Sequence, residues 1–383
     1  MKVKVHNTAL DKFYLNLDAC IKENIFKDKM VVVFGSSRVA GTIISYLLDK
    51  NIEVHCIVDN DKNRQGTTIF NLKVYSPTHF KEEFNTNAIF LIASYWQDEM
   101  IEQLEDFGYR EENIVKVLDF KKELNDYSFA DRSNCVEMSM EEIKREQLQV
   151  LKFLDRICKE NNIRYYLTYG TLLGAVRHSG YIPWDDDIDI LVEIKDLKRL
   201  VEILKDNEDY TMISCFNTEN YFEEFAMLTS NHTISDINNF PVQMSAGVFV
   251  ELFPLSGLPS GEKEYEDYII HIKELEMKRC GKLYSPVECK RASDELMDYI
   301  ASYDFDECEY AGFLLSPYYL KDRFKKDVFE YGERLLFEGN FLSVPKNYDQ
   351  YLKQIYGDYM KLPPIEEQYT HHFYKAYWEN EIK

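Results

Sequence analysis

Four carboxylates crowd into five residues, at Asp185, Asp186, Asp187 and Asp189, and run directly into Ile188, Ile190 and Val192. Few folds accommodate such a run. Residues two apart on a strand point the same way. A strand here would bury the isoleucines on one face and align Asp187 with Asp189 on the other. Their Cα atoms would then lie about 7 Å apart, close enough for both carboxylates to lean on one hard cation such as Mg²⁺. Upstream, Tyr165–Val192 supplies an apolar strand-like lead-in, a Gly170-Thr171 turn, a helical run from Leu172 to His178 and a loop with Gly180 and Pro183. The chain holds 67 Asp and Glu in 383 residues, so acidic clusters arise by chance and most are solvated faces. A solvated face has no reason to set charge beside Trp184, Ile188, Ile190 and Val192, and the interleaving favours a metal site.

The run GTLLGAVRHSGYIPWDDDIDILV resembles the signature of the LicD family, which includes the fukutin and fukutin-related proteins. The resemblance extends over residues 140–383, with its densest motifs at the start, middle and end. It implies an α+β nucleotidyltransferase-like mixed-sheet domain, expected over 139–383. In that superfamily a Gly-Ser/Thr turn is paired with a DxD on the next strand and a third carboxylate on a later one. Gly170-Thr171 matches the turn, and Asp187 with Asp189 the DxD. Glu251, followed by a hydrophobic residue and Phe253-Pro254, matches the third carboxylate, where many relatives have Asp. VPKNYDQYLKQIYGDYMKLPP, with Tyr356-Gly357-Asp358-Tyr359 and Pro363-Pro364, is also LicD-like, and His371-His372 follow where relatives often have a histidine.

The residues support these roles independently. A glycine lets backbone N–H groups approach a phosphate, and the following helix N-terminus favours the anion. Arg177 can grip two phosphate oxygens at once, or else pair with the nearby aspartates. His178 is either a phosphate contact or a satisfied surface group. Trp184 and Asp185 complete the candidate substrate-binding set with Gly170, Thr171, Arg177 and His178. Glu251 is the one charge in the alternating Gly247–Pro254 run, and glutamate is rarely buried without a partner or metal. Its role, ligand or general base, stays open.

Length points to two domains, since single cores rarely grow beyond about 250–300 residues. In the first part, MVVVFG reads as a buried strand, SSRVAGTIISYLLDK as a helix and EVHCIVDND as a second strand. Ala88–Ala93 and Ile114–Val117 are further strands, with a helix over Trp96–Phe107 between them. This alternation predicts a Rossmann-like α/β parallel-sheet domain over 1–120. Its first turn places Gly35, Ser37 and Ala40 at dinucleotide-fingerprint positions, and Asp59 ends the second strand where a ribose-binding acid would sit. Ser37 replaces the glycine that lets backbone reach a pyrophosphate, so this loop is either a nucleotide site or part of a docking domain. Residues 121–138 read as a linker. Ser139-x-x-Glu142 is a capping box opening a helix with an apolar stripe of Ile143, Val150, Leu151, Leu154, Ile157 and Cys158. The part from Glu262 onward reads as helical, acidic and aromatic.

Composition narrows the partners. A net charge of −22 argues against nucleic acid or an anionic membrane surface and makes a nucleotide substrate awkward without a metal. No apolar run reaches the roughly 18–20 residues of a spanning helix, which leaves peripheral membrane contact open. MKVKVHNTALDKF lacks the apolar core of a secretory signal, so a cytoplasmic location is expected. Eight scattered cysteines without a C-x-x-C read as reduced thiols.

Together with the resemblance, these features lead to a metal-dependent phosphotransferase using Mg²⁺ or Mn²⁺. The resemblance implies a CDP-activated donor, phosphocholine ahead of ribitol or glycerol phosphate, and a hydroxyl of a cell-surface glycan or its lipid-linked or polymer precursor as acceptor. Two alternatives are a nucleotidyltransferase that attaches NMP to a small molecule or protein, and a non-catalytic nucleotide- or glycan-binding module.

Overall fold

The Met30–Phe34 strand, buried along almost its whole length, is the centre of a six-stranded sheet. A computed structural model describes residues 4–6, 8–84, 87–125, 135–313, 315, 321–370 and 375–379. In it the strand order runs Thr68–Ile69, Leu72–Tyr75, Cys56–Val58, Met30–Phe34, Ala88–Ile92, Ile114–Lys116. All neighbours are parallel except the edge pair Thr68–Ile69 with Leu72–Tyr75. Strands buried on both faces explain the continuous apolar runs MVVVF and AIFLI. The helix expected after the first strand spans Arg38–Asp49 and buries Ala40, Ile43, Ile44 and Leu47.

The second sheet has the order Tyr210–Ile213, Ala226–Ser230, Phe249–Leu258, Asp189–Glu193, Tyr165–Leu167. Its one parallel pair, among the described residues, joins Asp189–Glu193 to Phe249–Leu258. Tyr310–Gly312 and Phe324–Lys325 extend it antiparallel from the far half of Phe249–Leu258. The Met140–Glu160 helix packs on this sheet. Its capping box forms, Ser139 and Glu142 bonding each other's backbone N–H, and its apolar stripe is buried. The chain is thus mixed α/β, with parallel and antiparallel sheets.

A third, antiparallel sheet gathers distant segments in the order Lys4–His6, Val242–Ala246, Thr233–Asn239, Ala376–Trp378, Val136–Glu137. One apolar core likewise holds Phe13, Val31, Ile44 and Leu91 together with Ile213, Tyr221, Met227, Met244 and Leu283. The first parallel sheet is therefore packed onto the rest of the chain through shared core.

Two expectations change. Gly170-Thr171 does not precede the helix but forms its first turn, the helix spanning Tyr169–His178. Among the described residues, the part from Glu262 is α-helical only over Glu262–Cys280, Pro286–Ile300 and the later Tyr348–Tyr356. Between them lies a hairpin, Arg334–Phe337 with Asn340–Ser343. Its two-residue turn sets Glu338 at φ 47° and Gly339 at φ 76°, the positive values that match the twist of paired strands. The residues of the expected linker from 126 to 134, and His371-His372, lie outside the described residues.

Candidate active site

The Tyr165–Leu167 strand delivers the chain to Tyr169, whose φ of 41° is left-handed. A non-glycine residue there stores strain of the order of 1–3 kcal/mol and must be held by its surroundings. Tyr169 is held at its hydroxyl, which donates to the buried Asp322 Oδ2 at 3.0 Å. Beside it, the Thr168 and Tyr351 hydroxyls share a 2.5 Å hydrogen bond.

Gly170 opens the helix under a carboxylate. A Cβ at this position would stand 2.6 Å from Asp185 Oδ2, so only glycine lets that side chain lie against the backbone. The next residue reaches the acidic strand: the Asp189 amide donates to Thr171 Oγ1 at 2.8 Å, and the Asp189 carbonyl accepts from the Thr168 amide at 3.1 Å. The helix start and the acidic strand are thereby clamped to one another.

The regular strand begins at Asp189, and the chain before it keeps the same alternation. Asp186, Ile188 and Ile190 are buried, whereas Asp187 and Asp189 are only half-buried. In the parallel pairing, Asp189 lies in register with Glu251, and the Glu251 amide donates to the Ile188 carbonyl at 2.9 Å. Glu251 falls on the less buried side of its strand, between Phe249 and Phe253. Burial, followed by the charges of Asp187, Glu251 and Asp185, holds the Asp189 carboxyl well above the usual carboxylate range. Four oxygen-bearing side chains thus converge where they cannot comfortably all ionise, an arrangement that suits a hard divalent cation.

Another carboxylate group lies at the opposite end of the same strand. Glu193, Asp304 and Asp306 bring oxygens within 4.8 Å of one another. Two cations already bridge them: Arg164 pairs with Glu193 and Asp306 at 2.8 Å, and Lys195 with Glu193 at 2.7 Å. Its geometry is compatible with a divalent ion, but its charge is largely offset by side chains.

Arg177 does not lie in an ion pair with the aspartates among the contacts described. Its Nη1 donates to the Tyr359 carbonyl at 2.8 Å and its Nε to His178 Nε2 at 3.0 Å. Accepting at Nε2 requires a neutral ring, and burial together with the Arg177 charge lowers the His178 pKa accordingly. The pair thus braces the helix end against the Gly357-Asp358-Tyr359 motif. Trp184 is half-buried, and its carbonyl accepts from Thr370 Oγ1 at 3.0 Å.

Gln147 was not singled out by the sequence. It is buried, donates to the Asp186 carbonyl at 2.9 Å and accepts from the Tyr181 hydroxyl at 3.0 Å, fixing the loop that carries the acidic run. The legible signal was its place four residues after Ile143 on an otherwise apolar stripe.

The glycine loop of the first sheet is internally satisfied. Gly35 adopts φ 99°, and Ser37 caps the helix without a side-chain bond. The Ser36 hydroxyl donates to Asp59 Oδ2, the Asp61 amide takes Asp59 Oδ1 at 2.8 Å, and Arg64 Nη1 lies 2.9 Å from both Ser36 oxygens.

Residues 162–288, which carry the helix start, the DxD and Glu251, match the LicD/FKTN/FKRP nucleotidyltransferase domain. That stretch is a LicD-type domain. The chain is an enzyme of the LicD phosphotransferase type. Over 262 residues it is 29% identical to the lipopolysaccharide cholinephosphotransferase LicD of Haemophilus influenzae, covering 61% of this chain and 97% of that protein. A shorter stretch of 49 residues is 35% identical to the human ribitol 5-phosphate transferase FKRP, 13% of this chain and 10% of that one. An uncharacterised protein of Rickettsia prowazekii is 40% identical over 78 residues, 18% of this chain and 29% of its own length. Outside the LicD domain, residues 27–115 match a separate family, C2185-like, N-terminal. Among the described residues no helix is long and apolar enough to cross a membrane.

Proposed function

We propose that this LicD-type enzyme moves a phospho-substituent, phosphocholine first and alditol phosphate second, from a CDP-activated donor to a hydroxyl of a glycan or glycan precursor. The observation that carries the reading is the convergence of Asp187 and Asp189 with Glu251, in a chain similar to a cholinephosphotransferase over nearly that protein's whole length. The acceptor oxygen forms a bond to the phosphorus that bears the substituent. The bond from that phosphorus to the CMP oxygen breaks, and CMP leaves with the electron pair. The acceptor proton passes to a base, for which Glu251 is the candidate if it is not itself a ligand.

Asp187, Asp189 and Glu251 are the residues that would hold Mg²⁺ or Mn²⁺, which when bound supplies compensation of the phosphate charge. The carboxylate set fits such an ion because Asp187, Glu251 and Asp185 all press charge on the Asp189 carboxyl, a repulsion that a divalent cation relieves. Gly170 and Thr171 open a helix whose N-terminal amides favour a phosphate oxygen. Asp185, lying over Gly170, and Trp184 next to it are the candidate substrate contacts at that helix start, whereas Arg177 and His178 lie at the helix's other end.

The test is a screen of CDP-, UDP- and GDP-linked donors for metal-dependent thermal stabilisation, followed by product analysis. Stabilisation by CDP-choline and release of CMP are expected. Release of pyrophosphate from a nucleoside triphosphate would instead assign NMP transfer, the activity implied by the superfamily name of the matched domain.

A further inference from the structure

We infer that Arg38, in the first parallel-sheet region, is a positioning residue for Glu251, so that this region completes the phosphotransfer site. The inference rests on the carboxylate site proposed above. Arg38 is the first residue of the helix that follows the Gly35-Ser36-Ser37 loop, and its guanidinium bonds two glutamates far along the chain. Its Nη1 donates to Glu223 Oε2 at 2.7 Å and its Nη2 to Glu224 Oε2 at 2.8 Å. Both glutamates are buried, at 7% and 4% exposure, where an ionised carboxylate is untenable without a partner. Glu224 has a second cation, the buried Arg279. Among the described residues, Arg38 is the cation in hydrogen-bond contact with Glu223.

These two glutamates sit in the segment between the Tyr210–Ile213 and Ala226–Ser230 strands, and that segment borders the site. Two residues on, Phe225 packs against Phe253 with ring centroids 5.2 Å apart, and Phe253 in turn meets Tyr169, the strained residue before Gly170, at 5.8 Å. Met227, on the strand that follows, is the direct register partner of Glu251. Tyr221, on the other side of the glutamates, bonds the Phe225 carbonyl at 3.0 Å, and its hydroxyl is kept protonated by burial first and then by Glu223 and Glu251. A grip on Glu223 and Glu224 therefore sets the strand against which Glu251 is registered. A two-pronged arginine fixes direction as well as charge.

The experiment uses the full-length chain with Arg38→Ala, Arg38→Lys and the double change Arg38→Ala with Glu223→Gln. Steady-state kinetics with CDP-choline and amide hydrogen exchange are measured on each. For Arg38→Ala, kcat should fall about tenfold with little change in donor KM, the scale of coupling through such networks. Exchange should accelerate in residues 214–228 and also in 249–253. Adding Glu223→Gln should recover part of the lost kcat, because it removes the stranded charge. If Arg38→Ala does not fold, Arg38→Lys, which keeps the charge but loses the fork, is read in the same way. Unchanged kcat, or faster exchange confined to 214–228 with 249–253 unaffected, overturns the inference. Should the wild type transfer nothing from any donor, the proposed function fails by itself. Exchange at 249–253 then decides the positioning of Glu251 separately.

Discussion

Asp189 and Glu251 are register partners on adjacent parallel strands, and the Asp189 amide is tied to the Thr171 hydroxyl at 2.8 Å. The helix start, the DxD and the third carboxylate are therefore one hydrogen-bonded unit. Displacing any of the three displaces the others.

Asp187→Asn or Asp189→Asn should abolish transfer with the fold intact. Asp189 also carries a sign that can be checked. Its folded pKa lies above its unfolded value, so the native state binds the extra proton and stability falls as pH rises through that window. At neutral pH without metal, Asp189→Asn should therefore melt no lower than the wild type, and stabilisation by Mn²⁺ should vanish. Melting curves with and without Mn²⁺ check this; near-normal turnover by either variant defeats the metal-site assignment.

Glu251→Gln separates ligand from base. As a ligand, its loss should weaken metal affinity, and excess Mg²⁺ or Mn²⁺ should partly restore the rate. As a base, its loss should lower the rate by on the order of 10²–10⁴ with metal affinity unchanged. The ligand outcome is expected, because phosphates need strong charge compensation in a chain of net charge −22. Full activity at limiting metal would remove Glu251 from the site.

Gly170→Ala should uncouple stability from activity. Alanine is the better helix former by about 1 kcal/mol, so the melting temperature should change little. The added methyl would meet Asp185 Oδ2 at 2.6 Å and must move it. Restoring ordinary contact shifts the carboxylate by about 1 Å, a misplacement that can cost about 10²-fold in kcat. A variant with wild-type kcat would show that Asp185 has no part in the reaction.

Asp155 supports the strand that leads into the site. Burial opposes its ionisation, but Lys159 at 2.6 Å, the Tyr165 hydroxyl at 2.7 Å and Arg334 at 3.0 Å outweigh burial and lower its pKa. A depressed carboxylate contributes stability above its unfolded pKa and loses it as pH falls through the folded one. Asp155→Asn should cost about 1–3 kcal/mol at neutral pH, and the difference should shrink as pH drops below the usual carboxylate range. Urea melts at several pH values give both numbers; a pH-independent difference would contradict this account.

NAD should not bind the Gly35 loop at micromolar concentration. The Asp59 carboxylate is occupied by Ser36 and the Asp61 amide, and Arg64 closes over Ser36. Calorimetry on the full chain with NAD, NADP, CoA and CDP-choline is the check, and a micromolar heat signal from NAD would show that the loop opens.

Several features of the molecule needed nothing beyond local pattern. The apolar runs at Met30–Phe34 and Ala88–Ile92 had to be strands buried on both faces. The capping box at Ser139 had to open a helix, and the alternation from Asp187 to Ile190 had to put isoleucines in and aspartates out. Each follows from a period of two or 3.6 read along a few neighbouring residues. The hairpin at Glu338-Gly339 escaped this reading because a two-residue turn leaves little periodic signal on either side.

What only the tertiary structure decided is pairing across distance. Which strand lies beside Asp189, and in what register, depends on how the sheet assembles, and a shift of one residue would have turned Glu251 to the other face. The hold of Gln147 on the Asp186 carbonyl, and of Arg38 on Glu223 and Glu224, joins segments with no common periodicity. Sequence names the groups that burial would leave unsatisfied. Only the packed chain supplies their partners, since a polar group taken out of water must find one wherever the fold brings it.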